Sequence, residues 1–218
     1  MLATFLKHKK INSLSLRFFV WLDNMCYRMI TKLAIIDNQG THPKHRILDY
    51  HSFFAAHILP TDNVVDIGCG DGSVAYDVAP HAKRVVGMDM SEKSIERAKR
   101  RHARENITYL VGDVTTYPFQ EKFDKIVLSN VLEHIEHRVD FLTKLHKISD
   151  TILLRIPMIN RDWVTVYKKE KGLEYRLDPT HYLEYTMDII RDELQKSGWK
   201  LGEHSVRFGE LWGIVQKV

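Results

Sequence analysis

The feature that most constrains the fold is a short apolar run followed by three glycines at alternate positions. The run covers Val64–Ile67, broken only by Asp66, and Gly68, Gly70 and Gly72 come directly after it. A helix pattern then begins. An apolar strand, a tight glycine turn and a helix start are typical of the first strand-to-helix crossing in a nucleotide-binding α/β sheet. Glycine also lets the backbone approach a ligand closely. The sequence therefore predicts a nucleotide site at this turn.

Strand and helix patterns alternate from residue 63 onward, which predicts a mostly parallel sheet with helices on both faces. The predicted strands are 64–67, 84–88, 107–111, 123–128 and 151–156, and two strand-like runs, 199–208 and 211–218, close the chain. The predicted helices are 73–78, 91–104, 133–148 and 187–196. Residues 157–185 show no clear pattern, and a long segment of this kind inside a domain is usually a functional loop. We therefore predict a substrate loop there.

The charge is distributed unevenly along the chain. Residues 1–48 hold eight Lys or Arg and two Asp, giving +6, so the remainder is slightly acidic within a total of +4. The length of 218 residues fits one domain with an appended segment. We predict a basic helical extension or lid over 1–48 and the sheet domain over 49–218. A nucleic-acid partner is not expected, because the sheet domain itself is not basic.

Residues 14–36 are apolar at helical spacing, with basic residues on another side, and this pattern predicts an amphipathic helix. One interpretation is that the helix packs on the domain or covers its site. The alternative is peripheral membrane contact through residues 14–36, since Phe18, Phe19 and Trp21 lie beside basic residues. The oligomeric state is not predicted.

The cysteine content indicates a reducing compartment. Cys26 and Cys69 are the only cysteines, so no disulfide framework is expected. The start of the chain lacks the apolar core of a signal peptide. Charged residues also interrupt the apolar stretch 14–36, so no membrane span is expected. We expect a cytoplasmic protein.

Two acidic residues refine the nature of the nucleotide. Asp89 ends the second predicted strand, twenty-one residues after Gly68, where a carboxylate can accept hydrogen bonds from ribose hydroxyls. This spacing makes an NAD-dependent oxidoreductase the first alternative. However, Ser73 stands where the dinucleotide fingerprint has Gly or Ala, and Asp113 after the third strand can accept the amine of an adenine ring. Together these residues favour one adenosine over a dinucleotide.

Four successive motifs now carry a resemblance to a known family. They are Val65–Gly72, Gly87–Ser91, Gly112–Val114 and Phe123–His134. In this order they resemble the motifs of class I S-adenosylmethionine-dependent methyltransferases, and most closely the small-molecule subgroup typified by ubiquinone-biosynthesis O-methyltransferases. The resemblance covers about residues 46–156. It implies a Rossmann-like seven-stranded sheet, mostly parallel, whose C-terminal strand is antiparallel, and the two final runs would supply that hairpin.

The resemblance also implies a set of residues that bind S-adenosyl-L-methionine. Asp66 and the glycine loop, with the backbone of Cys69, would hold the methionine end of the cofactor. Asp89 would bind the ribose, with Met90 against the adenine. Arg46 would neutralise the cofactor carboxylate. Asp113 and Val114 would lie beside the adenine, and Ser129 and Asn130 would face the methyl-bearing sulfur. The full implied set is Arg46, Asp66, Gly68, Cys69, Gly70, Gly72, Asp89, Met90, Asp113, Val114, Ser129 and Asn130.

Methyl transfer to an alcohol benefits from a general base. His134, which follows the fourth strand, and His181, which Asp178 would orient, are the candidate catalytic residues. A divalent ion at Glu133, Glu136 and His137 is the alternative, because these residues would share a helix face. The carboxylates equally favour a helix N-terminus, and we predict no metal site.

We therefore predict a methyltransferase that uses S-adenosyl-L-methionine to O-methylate a small polar or glycan-like molecule. Trp163 and Tyr167 are rings on which a sugar would stack. The alternatives are an NAD-dependent oxidoreductase and a non-catalytic adaptor that docks through its N-terminal helix.

Overall fold

The computed structural model describes the backbone of residues 9–218 and the side chains from residue 13 onward. The first eight residues of the predicted N-terminal extension lie outside the described residues. The chain divides into two compact units. The first unit combines the chain up to Leu48 with Asp162–Leu177, and the second combines Asp49–Arg161 with Asp178–Val218.

The second unit holds every strand of the described chain. The strands are β1 (Asn63–Ile67), β2 (Arg84–Asp89), β3 (Ile107–Val111), β4 (Lys125–Ser129), β5 (Thr151–Pro157), β6 (Trp199–Arg207) and β7 (Glu210–Lys217). The helices of the two units, in chain order, are α1 (Lys9–Asp37), α2 (Lys44–Leu48), α3 (Tyr50–Ala56), α4 (Ser73–Val78), α5 (Glu92–Arg101), α6 (Arg138–Leu145), α7 (Trp163–Glu170) and α8 (Met187–Lys196). Helices α1, α2 and α7 belong to the first unit.

The strands form one sheet in the order β3-β2-β1-β4-β5-β7-β6. Strands β1 to β5 pair in parallel, and β7 runs antiparallel to both β5 and β6. The predicted Rossmann-like sheet, seven-stranded and mostly parallel with an antiparallel C-terminal strand, is confirmed. The strand order reverses between β1 and β4, and in open α/β sheets ligands bind at the carboxyl ends of the strands at such a point.

The central strands are apolar because helices cover both of their faces. Val64, Val65 and Ile67 of β1 have no solvent exposure, and neither do Ile126, Val127 and Leu128 of β4. The predicted helix start at Ser91 is also confirmed, since its hydroxyl accepts a hydrogen bond from the Ser94 backbone N–H.

Two secondary-structure predictions were wrong. The helix predicted over 133–148 is interrupted: a 3-10 turn covers Leu132–His134, and α6 begins only at Arg138 because Ile135 has an extended backbone. The segment 157–185 is not a plain loop, since it contains α7. The missed signal is a helix cap, in which the Asp162 side chain accepts a hydrogen bond from the Thr165 backbone N–H.

Within the first unit, α1 contacts the 162–177 segment through polar groups. The Lys168 ammonium donates to Asp23 at 2.6 Å and to the Asn24 side-chain oxygen at 2.9 Å. The Asn24 amide in turn donates to the Glu174 carbonyl at 3.1 Å. Among the helices of residues 9–218, none is both long enough and apolar enough to cross a membrane.

Candidate active site

The glycine turn joins β1 to α4 at the carboxyl edge of the sheet. Gly68, Gly70 and Gly72 all have positive φ angles, of 69°, 57° and 80°. A Cβ at Gly72 would lie 2.5 Å from the Tyr109 hydroxyl, so this position needs glycine for packing. A Cβ at Gly70 would meet no atom within 4 Å. The loop is therefore open at Gly70, where a ligand can approach the backbone closely.

Asp66 lies directly before this turn and is almost completely buried. Its Oδ2 has no hydrogen-bond partner among the described residues. Burial raises the pKa of the carboxyl group to about 8, a backbone hydrogen bond from Ala75 opposes that rise, and the charge of Asp89 adds to it. An orphaned buried carboxylate is costly unless a donor or cation reaches it. The ammonium group of a methionine-type ligand fits this requirement.

Asp89 ends β2 and holds the turn in place. Its Oδ2 accepts a hydrogen bond from the Gly70 backbone N–H at 2.9 Å, and its Oδ1 accepts one from Ser91 at 2.8 Å. A carboxylate has further lone pairs for ribose hydroxyls. Met90 is 77% exposed, as an apolar surface for an adenine ring requires. The backbone N–H of Cys69 donates to the Met88 carbonyl, and burial raises the pKa of its thiol, so Cys69 contributes structure and no nucleophile.

Asp113 and Val114 follow β3. Asp113 Oδ1 accepts hydrogen bonds from the Thr115 backbone N–H at 2.9 Å and from the Thr115 hydroxyl at 2.7 Å. The Asp113 side chain is exposed and Val114 is half-buried. Both residues remain predicted adenine contacts.

Ser129 and Asn130 lie at the end of β4. Asn130 has a φ angle of 56°, unusual outside glycine, and its side-chain oxygen is buried without a partner in the described chain. The Ser129 hydroxyl accepts a hydrogen bond from Arg155 at 3.2 Å. Arg155 was missed by sequence reasoning. It is 2% exposed, forms a two-pronged ion pair with Glu210, and lies 3.6 Å from the centre of the Tyr50 ring.

The structure brings the two predicted catalytic histidines together. The ring centres of His134 and His181 are 4.6 Å apart, in an edge-to-face arrangement. The partner of His181 differs from the prediction, because Glu184, and not Asp178, lies 3.0 Å from its Nδ1 atom. Asp178 instead accepts the hydroxyl proton of Thr180 at 2.7 Å, and Thr180 lies 3.0 Å from Nδ1 of His134.

This arrangement selects a tautomer of His134. A hydroxyl carries one proton, and Thr180 donates it to Asp178, so Nδ1 of His134 must be the donor to Thr180. The Nε2 atom is then left as an acceptor. Partial desolvation lowers the pKa of His134, and positive charge on His181 lowers it further. Near neutral pH the ring is therefore uncharged, as a general base must be.

Glu133 is a further site residue that sequence reasoning assigned only to a metal alternative. It has no solvent exposure, and neither carboxylate oxygen has a partner among the described residues. Burial raises its pKa to about 7, an effect that the charge of His181 partly offsets. Glu133, His134 and His181 each place a ligand-type atom within 4.8 Å of the others. The metal alternative on a shared helix face is wrong, because Glu133 lies in the 3-10 turn before α6. Among the described residues, Glu133, His134 and His181 are a group that could hold a metal ion.

A cavity of about 350 Å³ opens beside His134. It lies between the segment after β3 and the start of α6, and its lining combines a larger apolar surface with several polar groups. The polar lining residues are Thr115, Thr116, Glu136, His137, Asp140 and Lys144. This cavity has the size and hydrogen-bonding groups of a small-molecule pocket.

The remaining predicted contacts belong to the first unit. Arg46 is exposed on α2, and Trp163, 76% exposed, and Tyr167 lie on α7. Their roles toward cofactor and acceptor stay predictions.

Comparisons with known proteins agree with this geometry. Residues 64–150 match the family model described as a methyltransferase domain. Nodulation protein S of Sinorhizobium fredii is 30% identical over 90 residues, which are 41% of this chain and 42% of that protein. Ubiquinone biosynthesis O-methyltransferase of Bradyrhizobium diazoefficiens is 30% identical over 139 residues, 61% of this chain and 54% of that enzyme. The chain spans about half the length of the curated relatives it matches, or less.

A solved structure shares the fold. The N-methyltransferase NodS of Bradyrhizobium japonicum, in complex with S-adenosyl-L-homocysteine, superposes with a TM-score of 0.57 at 18% identity, covering 80% of this chain and 85% of that one. The sheet order and the family match over residues 64–150 agree on a Rossmann-like fold of the methyltransferase type. The resemblance to the class I S-adenosylmethionine-dependent methyltransferases is thereby confirmed.

Proposed function

We propose that the protein transfers a methyl group from S-adenosyl-L-methionine to a small polar acceptor, through oxygen. The observation that carries the proposal is the buried carboxyl group of Asp66, whose Oδ2 has no partner among the described residues, beside a glycine turn that is open at Gly70. A ligand that combines an ammonium group with an adenosine would satisfy the buried carboxyl group and would fit against the open turn. Asp66 would hold the ammonium, and Asp89 the ribose.

When bound, the cofactor supplies a methyl group that its sulfonium already activates. The protein then has to align the acceptor with that methyl group and exclude water. Asn130, with its positive φ angle and its orphaned oxygen, lies at the end of β4 where that alignment is needed. Arg155 fixes Ser129, and so the end of β4, through its ion pair with Glu210.

His134 is the base in this proposal. Its Nε2 accepts the hydroxyl proton of the acceptor, while Thr180 and Asp178 hold the opposite side of the ring. His181 lies against His134 and is held by Glu184, so we assign it to positioning the acceptor or passing the proton onward.

The nature of the acceptor is supported by the cavity beside His134. Its threonine, carboxylate and lysine groups offer hydrogen bonds to the hydroxyl groups of an acceptor, and its larger apolar surface would contact the acceptor's carbon skeleton. The matched relatives do not fix the accepting atom, because an O-methyltransferase and an N-methyltransferase both resemble this chain. We favour oxygen because a neutral imidazole base assists an alcohol, which loses its proton during the transfer.

The alternative of an NAD-dependent oxidoreductase is disfavoured by the sheet. A dinucleotide-binding sheet builds its second half from further parallel strands. Here the sheet continues beyond β5 with the antiparallel hairpin β6-β7.

The test has two stages. Calorimetric titration should show binding of S-adenosyl-L-homocysteine and none of NAD, and the reverse result would overturn the proposal.

In the second stage the enzyme is incubated with cell extract and isotopically labelled S-adenosyl-L-methionine, and the products are identified by mass spectrometry. A labelled O-methyl ether is expected, whereas a labelled N-methyl product would move the acceptor assignment to amines. Adding a chelator separates a base mechanism, which keeps its rate, from metal use by Glu133, His134 and His181.

A further inference from the structure

Helix α1 presents an apolar stripe that the first unit leaves uncovered. Side chains at three- and four-residue spacing share one helix face. Along that face Leu14, Phe18, Trp21, Met29 and Ile36 are between 49% and 73% exposed. Exposed apolar patches of this extent are rare on proteins that act alone, and they mark interaction surfaces.

The first unit secures the opposite side of the same helix. Asp23 and Asn24 bind Lys168, and Val20, one turn earlier, is buried. These contacts fix the rotation of α1 about its axis, so the apolar stripe is held outward within this unit. Phe19, Ile30 and Leu33 are also exposed and widen the stripe.

The charges beside the stripe indicate what covers it. Arg17 and Arg28 are exposed on its flank, and Lys32 is exposed within the stripe, between Met29 and Ile36. Asp23, the acidic residue in the middle of the helix, is already paired with Lys168. An amphipathic helix with apolar aromatic residues on one face and basic residues at its edge is the form that lies in the interface of an anionic membrane.

We propose that α1 docks the protein on an anionic lipid surface, with Phe18, Trp21 and Met29 inserted among the acyl chains and Arg17, Arg28 and Lys32 against the headgroups. The charge pattern favours lipid over a protein partner, because Arg17 and Arg28 lie on one edge of the apolar stripe three helical turns apart, and the long side chain of Lys32 can reach the headgroups from within the stripe. This inference is independent of the proposed methyl transfer.

The experiment is co-sedimentation of the full-length protein with vesicles. Vesicles of phosphatidylcholine mixed with phosphatidylglycerol should bind at least about tenfold more protein than phosphatidylcholine alone, and high salt should remove most of that difference. Phe18→Ser should weaken binding by about tenfold, and Arg28→Gln by about fivefold. The matched control is Phe208→Ser, which removes another exposed phenylalanine, from the second unit, and should bind like the wild type.

A second measurement covers the case in which a substitution disturbs folding. Trp199 and Trp212 are buried, so Trp163→Phe leaves Trp21 as the exposed tryptophan. Emission of that variant should shift to shorter wavelength on anionic vesicles and stay unchanged on neutral ones. Equal binding to both vesicle types, or no vesicle binding, overturns the proposal. Self-association that Phe18→Ser abolishes, without vesicle binding, would assign the stripe to a second copy instead.

Discussion

The glycine turn and the histidine cluster each have a buried carboxyl group beside them with at least one oxygen that has no partner among the described residues, yet they are built in different ways. Asp66 lies directly before Gly68–Gly72, so the turn is nearly complete within one short stretch of sequence. Glu133 and His134 meet His181 only because the chain returns after the first unit's 162–177 segment. The comparison teaches that the cofactor end of the site is encoded locally, while the acceptor end depends on tertiary structure.

The largest effect is expected from removing the base. His134→Gln should lower kcat by about 10²–10⁴-fold while leaving the affinity for S-adenosyl-L-homocysteine unchanged. Because the pKa of His134 lies below its ordinary 6.5, the wild-type rate should rise with pH with a midpoint below that value. Steady-state kinetics across pH check both points.

His204→Gln is the control for that measurement, since it removes an exposed histidine on β6. A wild-type kcat in His134→Gln would show that His134 is not the base. A lost affinity for the cofactor would show that the two halves of the site are not separable as described.

A smaller effect, confined to the other half, is expected at the turn. Gly70→Val would fill the open space above the backbone and weaken cofactor binding by about 100-fold, or about 2.8 kcal/mol. Its positive φ angle also costs stability, about 1–2 kcal/mol. Gly172→Val is the matched control, because Gly172 has a φ angle of 63° and equally open surroundings, but lies in the first unit.

Calorimetry and denaturant unfolding of the pair separate strain from ligand contact. Both variants should lose similar stability, and only Gly70→Val should lose affinity. An equal loss of affinity in both would show that strain, and not the open turn, governs binding.

The smallest effect concerns the orphaned carboxylate of Asp66. Its pKa is raised from 3.8 to about 8, so the native state holds this proton more tightly than the unfolded state. The free energy of unfolding should therefore fall as pH rises between these values. Asp66→Asn removes the ionisation, and should be more stable than the wild type by about 1–3 kcal/mol above pH 8, with little difference near pH 4.

Urea unfolding across that pH range measures the gain, and calorimetry should show weakened cofactor binding in the same variant. A stability difference that does not depend on pH would mean that Asp66 is ionised and satisfied in the free protein.

Particular residues show which parts of the site could be predicted from the sequence. The turn and Asp89 were predictable because strand alternation and glycine spacing are local signals. Arg155 was not, although a charged residue inside a predicted buried strand is itself a signal. Its partner Glu210 lies 55 positions later, on a strand whose pairing only the folded sheet reveals.

The histidine cluster shows the same limit. His134 and His181 were predicted separately, but their contact and the choice of Glu184 over Asp178 depend on the path of the chain after α7. The interrupted helix at Ile135 likewise places Glu133 in a buried turn, where periodicity alone predicted a helix face.

The discontinuous make-up of the first unit has a consequence for biosynthesis. Helix α1 is translated before the first strand of the sheet, whereas Lys168, its partner, belongs to a later segment. At about 5–20 residues per second, roughly 6–25 s separate the two. During that interval the nascent α1 has no α7 to pack against. A bilayer or a chaperone at the ribosome exit would then contact α1 before α7 is available to pack against it.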